Sequence, residues 1–197
     1  MQHRLRHLVL VLAGATAAIA PSIAAQELHQ ASSNTVSFAV TYSAGGSNLI
    51  SSNRFWLEGG GAEFATSTFH GIAVGVSVVG LHTADSGGGI PVNLVITTFG
   101  PRYSWSLRHH VVLFAQGLVG EANGFRGLYP ALPSPSSSAS SLAIQTGGGM
   151  DLGISQHLSL RILQADWLRT QLPNSSTNVQ NNLRMAAGIV FHTKSRR

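Results

Sequence analysis

The sequence lacks cysteine altogether and is poor in charged residues. Without cysteine the chain can form no disulfide bond and carry out no thiol chemistry, which excludes disulfide-stapled domains and cysteine enzymes. Charged residues make up 10 % of the chain, whereas an ordinary soluble domain contains about 25 %. The chain is also short of long hydrophobic runs. After Leu8–Ala20 no segment is apolar for long enough to span a membrane as a helix.

The N-terminal segment has the pattern of a secretory signal peptide. A positively charged start precedes the apolar run Leu8–Ala20, and the small residues Ala24 and Ala25 offer a cleavage site. A spanning helix needs roughly 20 apolar residues, so this shorter run disfavours an uncleaved anchor. We therefore expect four segments, namely a signal peptide (1–25), a short periplasmic lead (26–34), a single folded domain (35–193) and a basic tail (194–197).

Basic residues outnumber acidic ones by 12 to 7, but they are scattered along the chain. A nucleic-acid partner is therefore not expected, because such proteins cluster their positive charge. The glycine triplets at 59–61, 87–89 and 147–149 lack the Lys and Ser/Thr of a phosphate-binding loop. The neighbouring His109 and His110 would point to opposite faces of a strand. We expect neither a cofactor nor a metal.

Most of the remaining sequence alternates large apolar residues with small or polar ones, the period of a β-strand with two unlike faces. Ile72, Val74, Val76 and Val78, for example, alternate with mostly small residues. The pattern predicts eight strands, at 35–44, 54–66, 71–82, 92–105, 110–121, 141–153, 158–170 and 182–193.

The connections between these strands alternate in length. Long polar breaks are predicted near 45–53, 83–91, 122–140 and 171–181, and short ones near 67–70, 106–109 and 154–157. Gly100-Pro101 lies inside a strand and predicts a bulge, because proline cannot donate to a central ladder. An even number of antiparallel strands with long loops on one side is typical of outer-membrane barrels.

These patterns predict an all-β fold, an eight-stranded antiparallel transmembrane β-barrel with up-and-down meander order. Large apolar side chains would face lipid, and small or polar ones would fill an interior too narrow for an open pore. A soluble, ligand-binding barrel is the alternative, but its outer surface would need far more charge. Aromatic residues near the predicted strand ends would form two belts at the membrane interfaces, with Tyr42, Trp56 and Trp167 near long loops and Tyr103, Trp105 and Phe191 near short turns or the C-terminus.

Polar residues inside the C-terminal strands indicate a polar barrel interior. A turn centred near residue 156 sets Asp151 opposite Arg161, so the two can form an ion pair. Gln164 and Asp166 have the opposite parity to Arg161, so a bulge near Leu163 is needed to bring them inside. The complete interior network is predicted to comprise Glu58, Gln145, Asp151, Arg161, Gln164, Asp166 and Arg184, with Asn182 beside it.

The chain resembles bacterial eight-stranded outer-membrane β-barrel proteins of the OmpA-like and OmpX-like kind. The resemblance rests on FWLEGGGAEF, TTFGPRYSW, FAQGLVGEA, GGGMDLGIS, LRILQADWLRT and QNNLRMAAGIVF, and covers residues 35–193. It implies residence in the outer membrane among its lipids, and insertion by the barrel-assembly machinery, which reads a C-terminal strand ending in an aromatic residue. Here Phe191 is followed by six more residues, HTKSRR, which departs from that pattern.

The expected function is structural or surface-interacting, without catalysis, for a monomer whose four long loops contact an unidentified extracellular partner. The alternative is an outer-membrane acyl hydrolase or transferase that acts on lipids. Such an enzyme needs a Ser, a His and a carboxylate that converge. His82 with Asp85 and Ser86 is the nearest such set, in a glycine-rich loop. A narrow pore is a further alternative.

Overall fold

The computed structural model describes residues 35–47, 55–69, 71–84, 90–107, 110–131, 133–174 and 177–194. The predicted signal peptide, the lead 26–34 and residues 195–197 of the predicted tail lie outside these ranges. Within them, no helix is long and apolar enough to cross a membrane.

The described residues form eight strands. They are β1 (Thr35–Ser47), β2 (Phe55–Phe69), β3 (Ile72–Thr83), β4 (Val92–Leu107), β5 (Val111–Tyr129), β6 (Ser136–Gly153), β7 (Leu158–Thr170) and β8 (Gln180–Lys194). Each strand pairs antiparallel with its neighbour in sequence, and β1 also pairs with β8, which closes the barrel. The prediction of an eight-stranded antiparallel barrel in meander order is confirmed.

The barrel has two different ends. At the loop end, the connections 48–54, 84–91, 130–135 and 171–179 join successive strands. At the turn end, the shorter connections 70–71, 108–110 and 154–157 lie beside the start of β1 and the end of β8. In the turn 154–157, the backbone amides of Ile154 and Ser155 both donate to the Leu158 carbonyl, each at 2.9 Å.

Two details of the strand prediction are wrong. The segment 122–140 is not a long loop, because β5 continues to Tyr129 and β6 begins at Ser136. Its serines pair across the hairpin, as Ser140 does with Asn123. Gly100-Pro101 is not a bulge either, since Phe99 faces Val119 and Arg102 faces Gln116 in one unbroken register. β3 likewise pairs with both residues without a shift.

The two faces of the wall differ in chemistry, as strand alternation requires. On β3 the outward-facing Ile72, Val74, Val76 and Val78 are exposed, whereas Ala73, Gly75 and Ser77 are buried inside. On β1 the buried inner positions include Thr41 and Ser43. The interior of the barrel is therefore narrow, and small side chains occupy much of its wall.

The interior near the loop end is filled by an apolar cluster. Its members are Leu57, Val79, Leu81, Val92, Leu94, Ile96, Ala122, Tyr129, Ala143, Leu168 and Leu172. Leu172 belongs to the β7–β8 connection and is held by the side-chain amide of Gln180, which accepts from the Leu172 amide (2.9 Å) and donates to its carbonyl (2.8 Å). This end of the interior is closed by packed side chains.

Candidate functional site

Between the apolar cluster and the turn end, the barrel interior holds a network of six charged side chains. Three are acidic and three are basic, so their formal charges cancel. They come from five strands and none is more than 6 % exposed; they are Glu63, Arg102, Asp151, Arg161, Asp166 and Arg184. A charge removed from water in this way is tolerated when it is paired and hydrogen-bonded.

Arg161 lies at the centre of this interior network. Its guanidinium binds Asp151 in bidentate fashion, with Nε 2.8 Å from Oδ1 and Nη2 3.1 Å from Oδ2. Its Nη1 donates to Glu63 Oε2 at 2.6 Å and to Gln164 Oε1 at 2.8 Å. The planar guanidinium fork suits such simultaneous contacts, which a lysine ammonium could not reproduce. Arg161 therefore joins β7 to both β6 and β2.

Arg184 makes the corresponding connections from β8. Its Nε donates to Asp166 Oδ2 at 3.1 Å, and its Nη2 lies 3.2 Å from Glu63 Oε1. Nη1 donates to the Ser43 hydroxyl of β1 at 3.2 Å. Glu63 thus receives ion pairs from both Arg161 and Arg184, and the network bridges the seam at which β8 closes on β1.

Arg102 completes the set from β4. Its Nη1 lies 3.5 Å from Glu63 Oε2, and its Nη2 lies 3.7 Å from Asp151 Oδ2. The ring of Phe114 contacts both Arg102 and Arg161, whose guanidinium carbons lie 3.6 Å and 4.4 Å from the ring centroid. An aromatic face attracts a cation, so Phe114 stabilises two like charges that would otherwise repel each other.

Glutamine side chains satisfy the remaining lone pairs of the carboxylates. Gln164 Nε2 donates to Glu63 Oε1 at 2.7 Å and to Asp166 Oδ2 at 2.9 Å. Gln145 Nε2 donates to Asp166 Oδ2 at 3.2 Å, and Gln145 Oε1 accepts from the Thr98 hydroxyl at 3.0 Å. Gln116 Nε2 lies 3.4 Å from Asp166 Oδ1. Asp166, fully buried, is thereby surrounded by donors.

A β-bulge brings the β7 residues into this interior. Asp151 pairs with Arg161, the register that the turn predicts, and Met150 pairs with Leu163. On the other side, Arg161 faces Gly188 and Gln164 faces Ala186, so Ile162 and Leu163 together face one residue of β8. Both bulge residues are exposed on the outer wall. The extra residue restores the inward parity of Gln164 and Asp166.

The structure brings together six of the seven residues predicted for the interior and excludes one. Gln145, Asp151, Arg161, Gln164, Asp166 and Arg184 are buried inside. Glu58 is exposed on the outer wall, where its Oε2 accepts from the Tyr42 hydroxyl at 2.8 Å. Its predicted interior position is wrong because Glu58 shares the parity of Trp56 and Phe64, both of which face outward.

Among the charged and amide residues of the interior network, the sequence analysis missed Glu63, Arg102 and Gln116. The outward parity of Trp56 and Phe64 would have identified Glu63 as the inward-facing acid of β2. Arg102 follows Gly100-Pro101, which was interpreted as a bulge and so obscured its parity. Asn182 is also inside, and its Oδ1 makes no hydrogen bond to any described residue.

The predicted interface aromatics lie on the outer wall. Tyr42, Trp56 and Trp167 are exposed towards the loop end, and Tyr103 and Phe191 are exposed towards the turn end. Trp105 is half-buried and packs edge-on against Tyr103, with centroids 4.9 Å apart. These positions form two separated groups, one near each end of the barrel.

The structure gives little support to a metal site or to a catalytic set of Ser, His and a carboxylate. The described residues contain no group of three or more His, Asp or Glu side chains that could hold a metal ion. Asp85 and Ser86, proposed as partners of His82, lie outside the described residues. A different pair, Ser159 Oγ and His192 Nε2, lies 2.9 Å apart near the turn end. Asp151, the carboxylate whose charge acts on His192, is already paired with two arginines.

Comparison with known proteins establishes the fold. Neither the family models nor the curated proteins contain a match to this sequence. Among solved structures, Ail, the attachment invasion locus protein of Yersinia pestis, is similar with a TM-score of 0.56 at 12 % identity, over 82 % of this chain and 100 % of Ail. The Neisserial surface protein NspA is similar with a TM-score of 0.58 at 12 % identity, over 81 % of this chain and 97 % of NspA. The resemblance to eight-stranded outer-membrane barrels is confirmed at the level of the fold.

Proposed function

We propose that this protein is an exported outer-membrane β-barrel with a structural or surface-interaction role, acting as a monomer and without catalysis. The observation that carries the proposal is the chemistry of the outer wall. Large apolar side chains are exposed around its circumference, including Phe38, Val40, Phe64, Val74, Val76, Phe99, Val119, Leu160, Ile162, Leu163, Met185 and Ile189. The six charged residues of the interior network lie inside.

This arrangement is the reverse of what a water-soluble barrel requires. A soluble barrel buries its apolar residues and covers its outside with charge. Here the charged network is inside and the apolar residues are outside, and a lipid environment makes both placements favourable. The aromatic groups near the two ends support the same environment, since Trp and Tyr favour membrane interfaces. The soluble ligand-binding alternative is therefore disfavoured.

The packed interior supports a structural role over a pore. The ion pairs span the turn-end half of the interior and the apolar cluster fills the loop-end half. An open pore needs a continuous, open polar path, but the apolar cluster interrupts such a path and paired side chains occupy the polar half. We propose that the loop end faces the cell exterior and carries the contacts with a surface partner, as yet unidentified, while membrane lipids cover the wall.

Fractionation of cells expressing the full chain tests this proposal. We expect the protein in the outer-membrane fraction, shortened by a signal peptide, extractable only with detergent, and migrating faster on gels before heating than after. Depletion of the barrel-assembly machinery should reduce the folded form. Recovery in the aqueous periplasm without detergent would contradict the membrane barrel.

Mass spectrometry of outer-membrane lipids tests the enzyme alternative. The lipids should keep the same acylation pattern whether or not the protein is present. An altered pattern would favour the acyl hydrolase or transferase.

A further inference from the structure

We propose that the outer wall of β1–β4, near the loop end, binds a glycolipid with an uncharged sugar headgroup. The proposal rests on the proposed membrane location. Four outward-facing polar residues on neighbouring strands, termed the outer row, carry it; they are Tyr42, Glu58, His82 and Asn93. Glu58 lies directly opposite His82, and His82 lies directly opposite Asn93.

The outer row consists of two hydrogen-bonded pairs. Tyr42 Oη donates to Glu58 Oε2 at 2.8 Å, and His82 Nδ1 lies 2.8 Å from Asn93 Oδ1. Because Asn93 Oδ1 can only accept, Nδ1 of His82 carries the proton in this contact. Each hydrogen bond fixes the positions of its two side chains, and other polar atoms of these side chains can form hydrogen bonds with a ligand. Glu58 Oε1 and His82 Nε2 can accept, and Asn93 Nδ2 can donate.

The neighbours of the outer row mark its limits. On the β5 side, Asn93 is paired with Phe125, and on the β8 side Ala44, the partner of Glu58, is paired with Met185. Trp56, the most exposed of the large apolar side chains at 72 %, is two residues from Glu58 on the same face. Polar groups beside an exposed aromatic ring are suited to a sugar, whose hydroxyls form hydrogen bonds while its ring face packs on the indole.

Charge and size select the headgroup. The outer row contains one carboxylate and no Lys or Arg, so its charge repels an anionic phosphate headgroup. From β2 to β4 the row spans two inter-strand spacings, about 10 Å, which is more than a single ammonium group can contact. A headgroup of two linked sugars, with hydroxyl donors for Glu58 and His82 and acceptors for Asn93, matches both properties.

A shallow depression continues the site towards the turn end. Gly60 and Gly80 are paired with each other and both face outward, flanked by Tyr42 on β1 and Val95 on β4. A Cβ on Gly60 would come no closer than 3.6 Å to another heavy atom, and one on Gly80 no closer than 4.0 Å. These are ordinary contacts, so packing within the wall does not require glycine here. The missing side chains leave room for an acyl chain.

Titration of the full chain in detergent micelles with diglucosyl diacylglycerol, followed by native mass spectrometry, tests the proposal. We expect the glycolipid to form a one-to-one complex with the protein. Phosphatidylethanolamine and phosphatidylglycerol with the same acyl chains should bind at least tenfold more weakly. The free diglucose without acyl chains should also bind at least tenfold more weakly, because the depression is then empty. Equal binding of all three lipids would overturn the proposal.

Two comparisons of variants, each with a control on β5, locate the site. Glu58→Gln and His82→Ala should weaken glycolipid binding at least tenfold, whereas Glu121→Gln, an exposed glutamate on β5, should leave it unchanged. Gly80→Leu should weaken binding, whereas Gly117→Leu, an outward glycine of β5 with open space around it, should not. Equal losses in the β5 controls would indicate general interface effects and overturn the site.

The folded state of each variant is checked by its migration before and after heating. Glu58→Gln changes β2, whereas His82→Ala and Gly80→Leu change two separate positions of β3, so failure of one variant to fold leaves the others as tests. The two proposals fail separately. A wild-type protein that stays in the outer-membrane fraction but shows no preference for the glycolipid contradicts the site alone. A protein absent from membranes contradicts the proposed function.

Discussion

At the residue scale, the ion pairs inside the barrel determine how strongly its wall is held together. Arg161 contacts carboxylates from β6 and β2 at once. In soluble proteins, removing one partner of a buried ion pair costs about 3–5 kcal/mol, because the other charge stays buried without compensation. The sequence predicted the pairing with Asp151 from the turn near residue 156, since a tight turn specifies which residues face each other.

Arg161→Ala should therefore lower the temperature at which the folded gel band converts to the unfolded one, and Asp151→Asn should lower it as well. Arg161→Ala should have the larger effect, since it also leaves Glu63 with one ion pair fewer. Arg169→Ala, on the same strand but facing outward, is the control and should change little. Unchanged melting in both interior variants would refute the role of the pair.

Phe114 is a second residue whose effect follows from its position, because its ring contacts the guanidinium groups of both Arg102 and Arg161. We expect Phe114→Leu to destabilise the barrel by about 2 kcal/mol, the value of a cation–π contact removed from water. Phe99→Leu, a change of the same kind on the outer wall, should cost less because Phe99 is 59 % exposed. Equilibrium unfolding in urea compares the two variants. Equal losses would show that the ring acts through its apolar surface alone.

At the element scale, β7 shows what parity can and cannot reveal. The bulge was predicted because Arg161 and Asp166 could not otherwise share a face. On β2 the same reasoning failed at Glu58, because two acids of opposite parity compete and the run of glycines weakens the pattern. The extension of β5 and β6 was also missed. The segment 136–141 contains only serine and alanine, so it lacks the large apolar residues whose alternation marks the other strands. In sequence it therefore resembles a loop.

Deleting Leu163 tests the bulge directly. With one residue fewer, either Arg161 or the pair Gln164 and Asp166 must turn outward, since a one-residue shift reverses every side chain of a strand. We expect this deletion to abolish the folded gel band, because a charged group would face lipid. Leu163→Ala keeps the bulge and should fold. A folded deletion variant would show that β7 can adopt another register.

At the scale of the whole molecule, composition and alternation were sufficient to predict a closed eight-stranded barrel. The shortage of charge, the strand count and the alternating connection lengths each point to it, since an eight-stranded sheet closes around an interior just wide enough for side chains. The division of that interior into an apolar half and an ionic half was not predicted. Leu57, Val79 and Leu94 are ordinary strand residues in sequence, and only the closed register places them together.

This two-part interior leads to a prediction about conductance. Either half alone closes the barrel, so the wild-type protein in a planar bilayer should pass no steady current above that of the bare membrane. Arg102→Ala loosens only the ionic half and should stay closed. Combining Arg102→Ala with Leu94→Ala loosens both halves and should increase the leak, because water could then reach the network from both ends. Steady channels from the wild-type barrel would contradict this account of the interior and would favour the narrow pore instead.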